Sequence, residues 1–395
     1  MGAMPAALRV LCLNCGSSSI KLGVYALGDG EETLQRTGAV EGVGSESGQL
    51  WIRDAGGAVL RDEAVAFGDH GAAIHALLEA LERGGVLPVD AAGHRVVHGG
   101  PRREAPARID AALLAELRAR IPLAPLHLPG EIEAIAAVAS RLSGLPQVAC
   151  FDTAFHRRMP AIAQRLPLPR ALCDEGLQRY GFHGLSYEFV LHELGDAAGG
   201  RTVIAHLGSG VSLSAVRDGR PVETSMGFTP LGGVMMGTRS GDLDPGVLLH
   251  LLTEKGWDGE RLAALVTHEA GLLGVSGLSS DMRTLLALRP SQPHAAEAVA
   301  MFCYHVRKQI GALAAVLGGL DLLVFTGGIG ERSSALRREI CAGLEHLGVV
   351  LAEAPQGDRL SAAAAPCTVR VVPTNESLMI ARHTRDIVSR DGRGD

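Results

Sequence analysis

The apolar positions of this chain change period several times, and each change marks an element. Residues 10–13 form an unbroken apolar run, which suits a strand buried on both faces; the small polar stretch Asn14-Cys15-Gly16-Ser17-Ser18-Ser19 follows, and a second strand-like segment over 20–24, apolar at alternate positions, leads away. The reading is strand, Gly/Ser turn, strand. Near the middle the pattern returns as Val203-Ile204-Ala205-His206-Leu207, then Gly208-Ser209-Gly210, then a second strand to Val216 in which Ser212 and Ser214 alternate with apolar residues. In both places small residues let backbone N–H groups approach an anion closely. Two such hairpins predict two similar lobes that address one phosphate-bearing ligand.

The rest of the chain alternates in the manner of an α/β protein. Residues 38–62 are polar and Gly-rich with strand-like alternation, and helices are predicted over 70–83, 110–120 (with Asp110 as cap) and 131–142. Strands over 94–98 and 148–151 end at Gly99-Gly100 and at Asp152, and such strand ends are where open α/β sheets bind ligands. Beyond the basic, proline-rich segment 156–170, helices are predicted over 172–179, 245–254, 260–268, 280–288 and 294–317. A strand over 321–325 runs into Thr326-Gly327-Gly328-Ile329-Gly330-Glu331, followed by a helix over 332–347, a strand over 369–373, a helix over 377–384 and a frayed end over 389–395. Residues 227–246 carry glycines, two prolines and no apolar period; a loop that long points to function.

Length and charge narrow the class. With 395 residues, two or three domains are expected. A net charge of −6 with no long basic run argues against nucleic acid and for small ligands. The seven cysteines are scattered and odd in number, so a reducing, cytoplasmic setting fits better than a disulfide framework. Cys12 and Cys15 form a lone CxxC at a strand and its turn, and read as small buried apolar residues rather than a zinc or redox pair. The first nine residues lack an export signal, and Ala6 stands where myristoylation wants Ser or Thr. The longest apolar stretch, 310–320, is well under the ~20 residues of a membrane span.

Several motifs then carry a resemblance. Asn14-x-Gly-Ser-Ser-Ser, His94-Arg95-Val96-Val97-His98-Gly99-Gly100, Phe151-Asp152-Thr153-Ala154-Phe155-His156, Tyr180-Gly181-Phe182-His183-Gly184, Gly237-Thr238-Arg239-Ser240-Gly241-Asp242-Leu243-Asp244-Pro245, the glycine run 325–331 and Thr374-Asn375-Glu376 together resemble the acetate kinases, in order and across nearly the whole chain. The resemblance implies an α/β, duplicated two-lobe fold of the actin-like, Hsp70-like and sugar-kinase (ribonuclease H-like) kind, with a central ATP cleft. It implies an N-terminal lobe over 1–152 completed by a C-terminal helix over 377–395, a nucleotide-binding lobe over 153–376, and a homodimer.

Phosphoryl transfer to a carboxylate brings two anions together, so the site must neutralise charge and align the groups in line. Acetate is already ionised at neutral pH, so it needs no strong base. By resemblance Arg95 holds the acid's carboxylate, and His183 and Arg239 stabilise the transferring group; a guanidinium's planar fork of donors suits both tasks. Asp152 is the family's acid/base position, though a carboxylate nucleophile makes a positioning role for Mg²⁺, water or arginine the better reading. Asn14 and Glu376 match Mg²⁺-associated positions, with Mn²⁺ as a substitute. Nucleotide contacts carry over to Lys21, to His206, Leu207, Gly208, Ser209 and Gly210, to Asp281, Met282 and Arg283, and to Gly328, Ile329, Gly330, Glu331 and Arg332. Val97, Leu126, His127, Phe182 and Pro230 match the acid's pocket.

The chain departs from the family pattern at Leu128, Leu185, Ser209, Arg332 and Ser377. These bear on nucleotide preference and rate more than on reaction class. The expected reaction is ATP and acetate to ADP and acetyl phosphate, and the reverse. A propionate or butyrate kinase is the alternative, because one or two methylenes in a pocket are worth only ~1–3 kcal/mol. A non-enzymatic ATPase module is the remote alternative.

Overall fold

In the computed structural model, which describes residues 7–28 and 30–391, the first hairpin is strands β1 (Leu8–Cys15) and β2 (Ser19–Leu27), paired antiparallel. The Gly/Ser segment turns between them, Gly16 N–H donating to Ser19 O at 2.7 Å. Strands β3 (Glu32–Glu41), β4 (Gln49–Asp54), β5 (Val59–Ala64), β6 (Ala91–Val96), β7 (Ala107–Arg108) and β8 (Gln147–Phe151) complete an eight-stranded sheet in the order β5-β4-β3-β2-β1-β6-β8-β7. Beside β1 and β2, β6 and β8 run parallel to β1. Their residues are buried almost throughout, as expected of strands covered on both faces. Helices His70–Arg83 and Leu128–Arg141 pack against this sheet with Ile74, Leu77, Ala134 and Val138 in the core; Asp69 caps the first of these by accepting from Ala72 N–H, and Asp110 caps a further helix, Ala111–Ala119, by accepting from Leu113 N–H.

The second hairpin is strands β9 (Arg201–Leu207) and β10 (Val211–Arg217). With β11 (Arg220–Thr224), β12 (Leu322–Thr326), β13 (Leu351–Gln356), β14 (Arg359–Ser361) and β15 (Thr368–Val371) it forms a seven-stranded sheet, β11-β10-β9-β12-β15-β14-β13. The series β3-β2-β1-β6-β8 and β11-β10-β9-β12-β15 have the same order and directions: two successive antiparallel pairings on one side of the first strand, two successive parallel pairings on the other. The repeated hairpin is therefore the start of a repeated fold, as the sequence suggested.

The chain divides into two compact units, one running to Phe155 and rejoined from Asn375 onward, the other spanning His156–Thr374. The returning helix, Glu376–Asp391, packs on β1, β2, β6 and β8. It lies so close to β6 that a Cβ at Gly93 would come within 2.5 Å of Ile380 Cγ2. That contact explains a glycine inside a buried strand.

Several expected boundaries differ. The helix expected over 172–179 is only Arg170–Asp174, since Gly176 turns at φ +105 and Gln178 bridges to Arg165. Residues 332–347 do not form one helix: Gly327–Arg332 and Ser334–Cys341 are separate, because the Ser333 hydroxyl accepts from Leu336 N–H and starts the second. The segment 260–268 is Gly259–Ala264 followed by a π turn, Leu265–Glu269. The short helix Gly271–Ser276 and strands β13 and β14 carry no local signal that set them apart. Ser389 and Arg390 continue the last helix instead of fraying, while residues 392–395 and 1–6 lie outside the described residues. Cys12 and Cys15 are buried free thiols, and among the described residues no cluster of His, Cys, Asp and Glu is arranged for a metal.

Candidate active site

In the first unit, three strand ends and one helix start bring four polar residues together. Arg95, on β6, donates from Nε to Asp152 Oδ2 at 2.9 Å, and its Nη2 donates to the same oxygen. Nη1 donates to Asn14 Oδ1 at 3.0 Å, and Asn14 Nδ2 donates to Glu376 Oε2 at 3.0 Å. Asn14 ends β1, Asp152 follows β8, and Glu376 opens the last helix. Asp152 is fully buried, and its Oδ1 has no hydrogen-bond partner among the described residues. Burial works against the charge of Arg95, but Asp152 and Glu376 raise its pKa and hold it charged. Burial raises the pKa of Glu376, while Arg95 and the exposed Lys21 oppose the rise. Three acidic side chains thus act electrostatically on one guanidinium, the third being Glu131.

Glu131 is the residue of this unit that sequence reasoning missed. It is 1% exposed in the first turn of helix Leu128–Arg141, and both its oxygens accept from Val97 N–H, at 3.2 and 3.1 Å. Burial pushes its pKa up to about 8, although Arg95 pulls the other way. The available signal was an acid in a helix's first turn, where the macrodipole favours it. Of the expected pocket residues here, Val97 is buried and Leu126 is 45% exposed. His127 stands at the N-cap without a capping side-chain bond.

In the second unit the groups converge on the turn of the second hairpin. His183 Nδ1 lies 2.8 Å from Ser212 Oγ, its ring stacks on His206 with centroids 4.3 Å apart, and His206 Nδ1 lies 2.8 Å from Ser186 Oγ. Arg239 Nη1 donates to Pro230 O at 3.1 Å, so the expected pocket residue Pro230 also anchors the arginine. A Cβ on Gly210 would lie 3.0 Å from His183 Nε2 and 3.7 Å from Arg239 Nη1, so a side chain there would press on the His183 ring and meet Arg239 only in ordinary contact. The long loop is held by a bond of its own, Gly233 N–H to Asp242 Oδ1 at 2.7 Å, and by one from helix Gly271–Ser276, Leu272 N–H to Met236 O at 2.9 Å. Phe182 is buried, and its carbonyl is 3.0 Å from His156 Nε2.

The expected nucleotide residues divide by what they already do. Gly208 N–H donates to Gly210 O at 3.1 Å, which closes the turn and leaves Ser209 exposed. Asp281 caps helix Met282–Leu288 and pairs with Arg283 at 2.9 Å, while the Met282 side chain belongs to the core. Glu331 Oε1 accepts from Gly327 N–H at 3.0 Å and Thr374 N–H at 3.1 Å, tying the glycine turn after β12 to the segment after β15. Arg337, another residue missed from sequence, donates to Gly330 O and Glu331 O at 2.6 and 2.8 Å. Arg332 is exposed, and Gly328 and Ile329 lie in the same short helix.

Comparison with known proteins places this arrangement. The model of the acetokinase family matches residues 9–382. Acetate kinase of Rhodopseudomonas palustris is 45% identical over 390 residues, covering 95% of this chain and 97% of its own. Among solved structures, acetate kinase of Porphyromonas gingivalis is 37% identical with a TM-score of 0.86 (97% of this chain, 100% of that one). A propionate kinase of Francisella tularensis is 32% identical with a TM-score of 0.89 (96% and 100%). The match spans both repeated sheets, the strand-end arginine and the glycine turns alike, and the chain belongs to the acetokinase family.

Proposed function

We propose that this chain catalyses reversible transfer of the γ-phosphoryl group of ATP to acetate, giving acetyl phosphate and ADP. The observation that carries the reading is Arg95: a guanidinium held at a strand end by buried Asp152, next to apolar Val97, is a built receptor for a small carboxylate. Residues 1–152 with the C-terminal helix provide the acid's arginine, and residues 153–376 the nucleotide turns. Arg95 orients the attacking carboxylate, Asp152 fixes Arg95, and His183 and Arg239 donate to oxygens of the travelling phosphoryl. Glycine backbone at 208–210 and 327–330 takes the nucleotide phosphates.

Mg²⁺, or Mn²⁺ in its place, supplies charge neutralisation on the phosphate oxygens when bound. Asn14, Asp152 and Glu376 would hold it. Their hard oxygen donors suit such an ion, and the partnerless buried Asp152 Oδ1 is an acceptor a cation would satisfy. With so few protein donors the ion would keep several waters. No described helix is long and apolar enough to cross a membrane, and a homodimer fits the exposed leucines of helix Pro245–Thr253.

Propionate as the favoured acid is a second reading, supported by the likeness to the Francisella tularensis propionate kinase. Steady-state assays with acetate, propionate and butyrate, run on the parent and on Arg239→Ala, test both. Acetate is expected to have the highest kcat/KM. The variant is expected to stay folded and lose ~10²–10³-fold in kcat. Near-normal turnover in folded Arg239→Ala would overturn the assignment, and a higher kcat/KM for propionate would select the second reading.

A further inference from the structure

His183 is held by a chain of hydroxyls that the reading above does not use. Tyr187, in the first turn of helix Gly184–Leu194, and Ser212, in β10, are both fully buried. The Tyr187 phenol and Ser212 Oγ share a hydrogen bond, and Ser212 Oγ lies 2.8 Å from His183 Nδ1. His183 occupies the helix N-cap with a left-handed backbone, φ 60, a conformation that a non-glycine residue keeps only when its surroundings enforce it. The stacked ring of His206, itself bonded to Ser186, limits rotation of the imidazole. One ring nitrogen therefore meets Ser212 and the other lies beside the Gly210 turn.

The order of donors along this chain selects a tautomer. A phenol is a stronger donor than an aliphatic hydroxyl, so Tyr187 donates to Ser212 Oγ, and the single Ser212 proton is left for His183 Nδ1. A neutral imidazole whose Nδ1 accepts carries its proton on Nε2. We infer that Tyr187 and Ser212 form a positioning relay that keeps the His183 proton on Nε2 and presents an N–H donor, beside Arg239, to a phosphoryl oxygen at the Gly210 turn. Neither Tyr187 nor Ser212 touches the reacting atoms in this account; both act through His183. The inference rests on the phosphoryl-binding role proposed for His183.

The test is ¹⁵N NMR of the full chain labelled at histidine, with the His183 signals assigned by their loss in His183→Gln. The expected pattern is protonated Nε2 and unprotonated Nδ1. In Tyr187→Phe the relay loses its first donor, so the tautomer signal is expected to shift and kcat to fall by on the order of tenfold or more, with both KM values within about twofold of the parent. Ser212→Ala should behave alike, and Ser212→Thr, which keeps the hydroxyl, should recover kcat. A merely structural pair would lower Tm and leave the tautomer and kcat unchanged, and that result would overturn the relay. An Nδ1–H pattern in the parent would overturn it without any variant having to fold. Near-parent turnover in His183→Gln would instead refute the phosphoryl role and leave the tautomer measurement standing.

Discussion

Glu131 and His94 show how burial can outweigh the neighbouring groups in setting the chemistry of a residue. His94 is buried against Gln147 Oε1 at 2.7 Å, and desolvation lowers its pKa to about 4, so it stays neutral in the folded protein. Glu131 goes the other way: from an ordinary 4.5, burial raises it to about 8. Between those values the folded chain keeps a proton that the unfolded chain has released. Its contribution to stability is therefore greatest at low pH, falls as pH rises through that window at up to about 1.4 kcal/mol per pH unit, and levels off above it. Glu131→Gln keeps the acceptor for Val97 N–H and removes the titration. The expected outcome is that the Tm of the parent, relative to Glu131→Gln, declines between pH 5 and 8; parallel curves would show that Glu131 does not titrate in this range.

At the scale of elements, the end of β12 is where local rules were least sufficient. A helix was expected only from 332 onward, yet Gly327–Arg332 is already a helical turn because Glu331 reaches back to Gly327 N–H and buried Arg337 braces two of its carbonyls. Arg337→Met leaves those carbonyls without their donor at about 1–3 kcal/mol of stability. Because residues 328–332 are proposed to meet the nucleotide, KM for ATP is expected to rise severalfold while KM for the acid stays unchanged. Equal rises in both would detach this turn from the nucleotide. By contrast, helix His70–Arg83 and the Asp110-capped helix were legible at once, since an apolar stripe and a capping carboxylate are short-range signals.

At the scale of the molecule, the exposed face of helix Pro245–Thr253 stands out. None of its residues is buried, and Val247, Leu249 and Leu252, with Leu243 just before the helix, are between 40% and 60% exposed. A solvated helix of that composition is a candidate contact surface, and a second copy is the partner proposed. Leu249→Lys would place a charge on it. Light scattering is expected to show a dimer for the parent and a shift toward monomer for the variant, with the melting temperature little changed at high dilution; a parent that is monomeric at micromolar concentration would remove the dimer.

By itself the sequence determined the α/β alternation, the repeated hairpin and most helices, because periodicity, capping and glycine turns act over a few residues. It also marked Asn14, Arg95, Asp152, His183 and Arg239, through motif resemblance and through strand ends that suit ligands. The partners of those residues were decided by tertiary structure. Asn14 and Glu376 meet from 362 residues apart, Arg95 and Asp152 from 57, Val97 and Glu131 from 34, and Tyr187 and Ser212 from 25. Such pairs exist only once sheet order and helix packing bring distant backbone together. Nothing in a local pattern of apolar and polar positions specifies which buried acid will face which donor, so the charges, hydrogen bonds and proton positions that make the site emerge only in the folded chain.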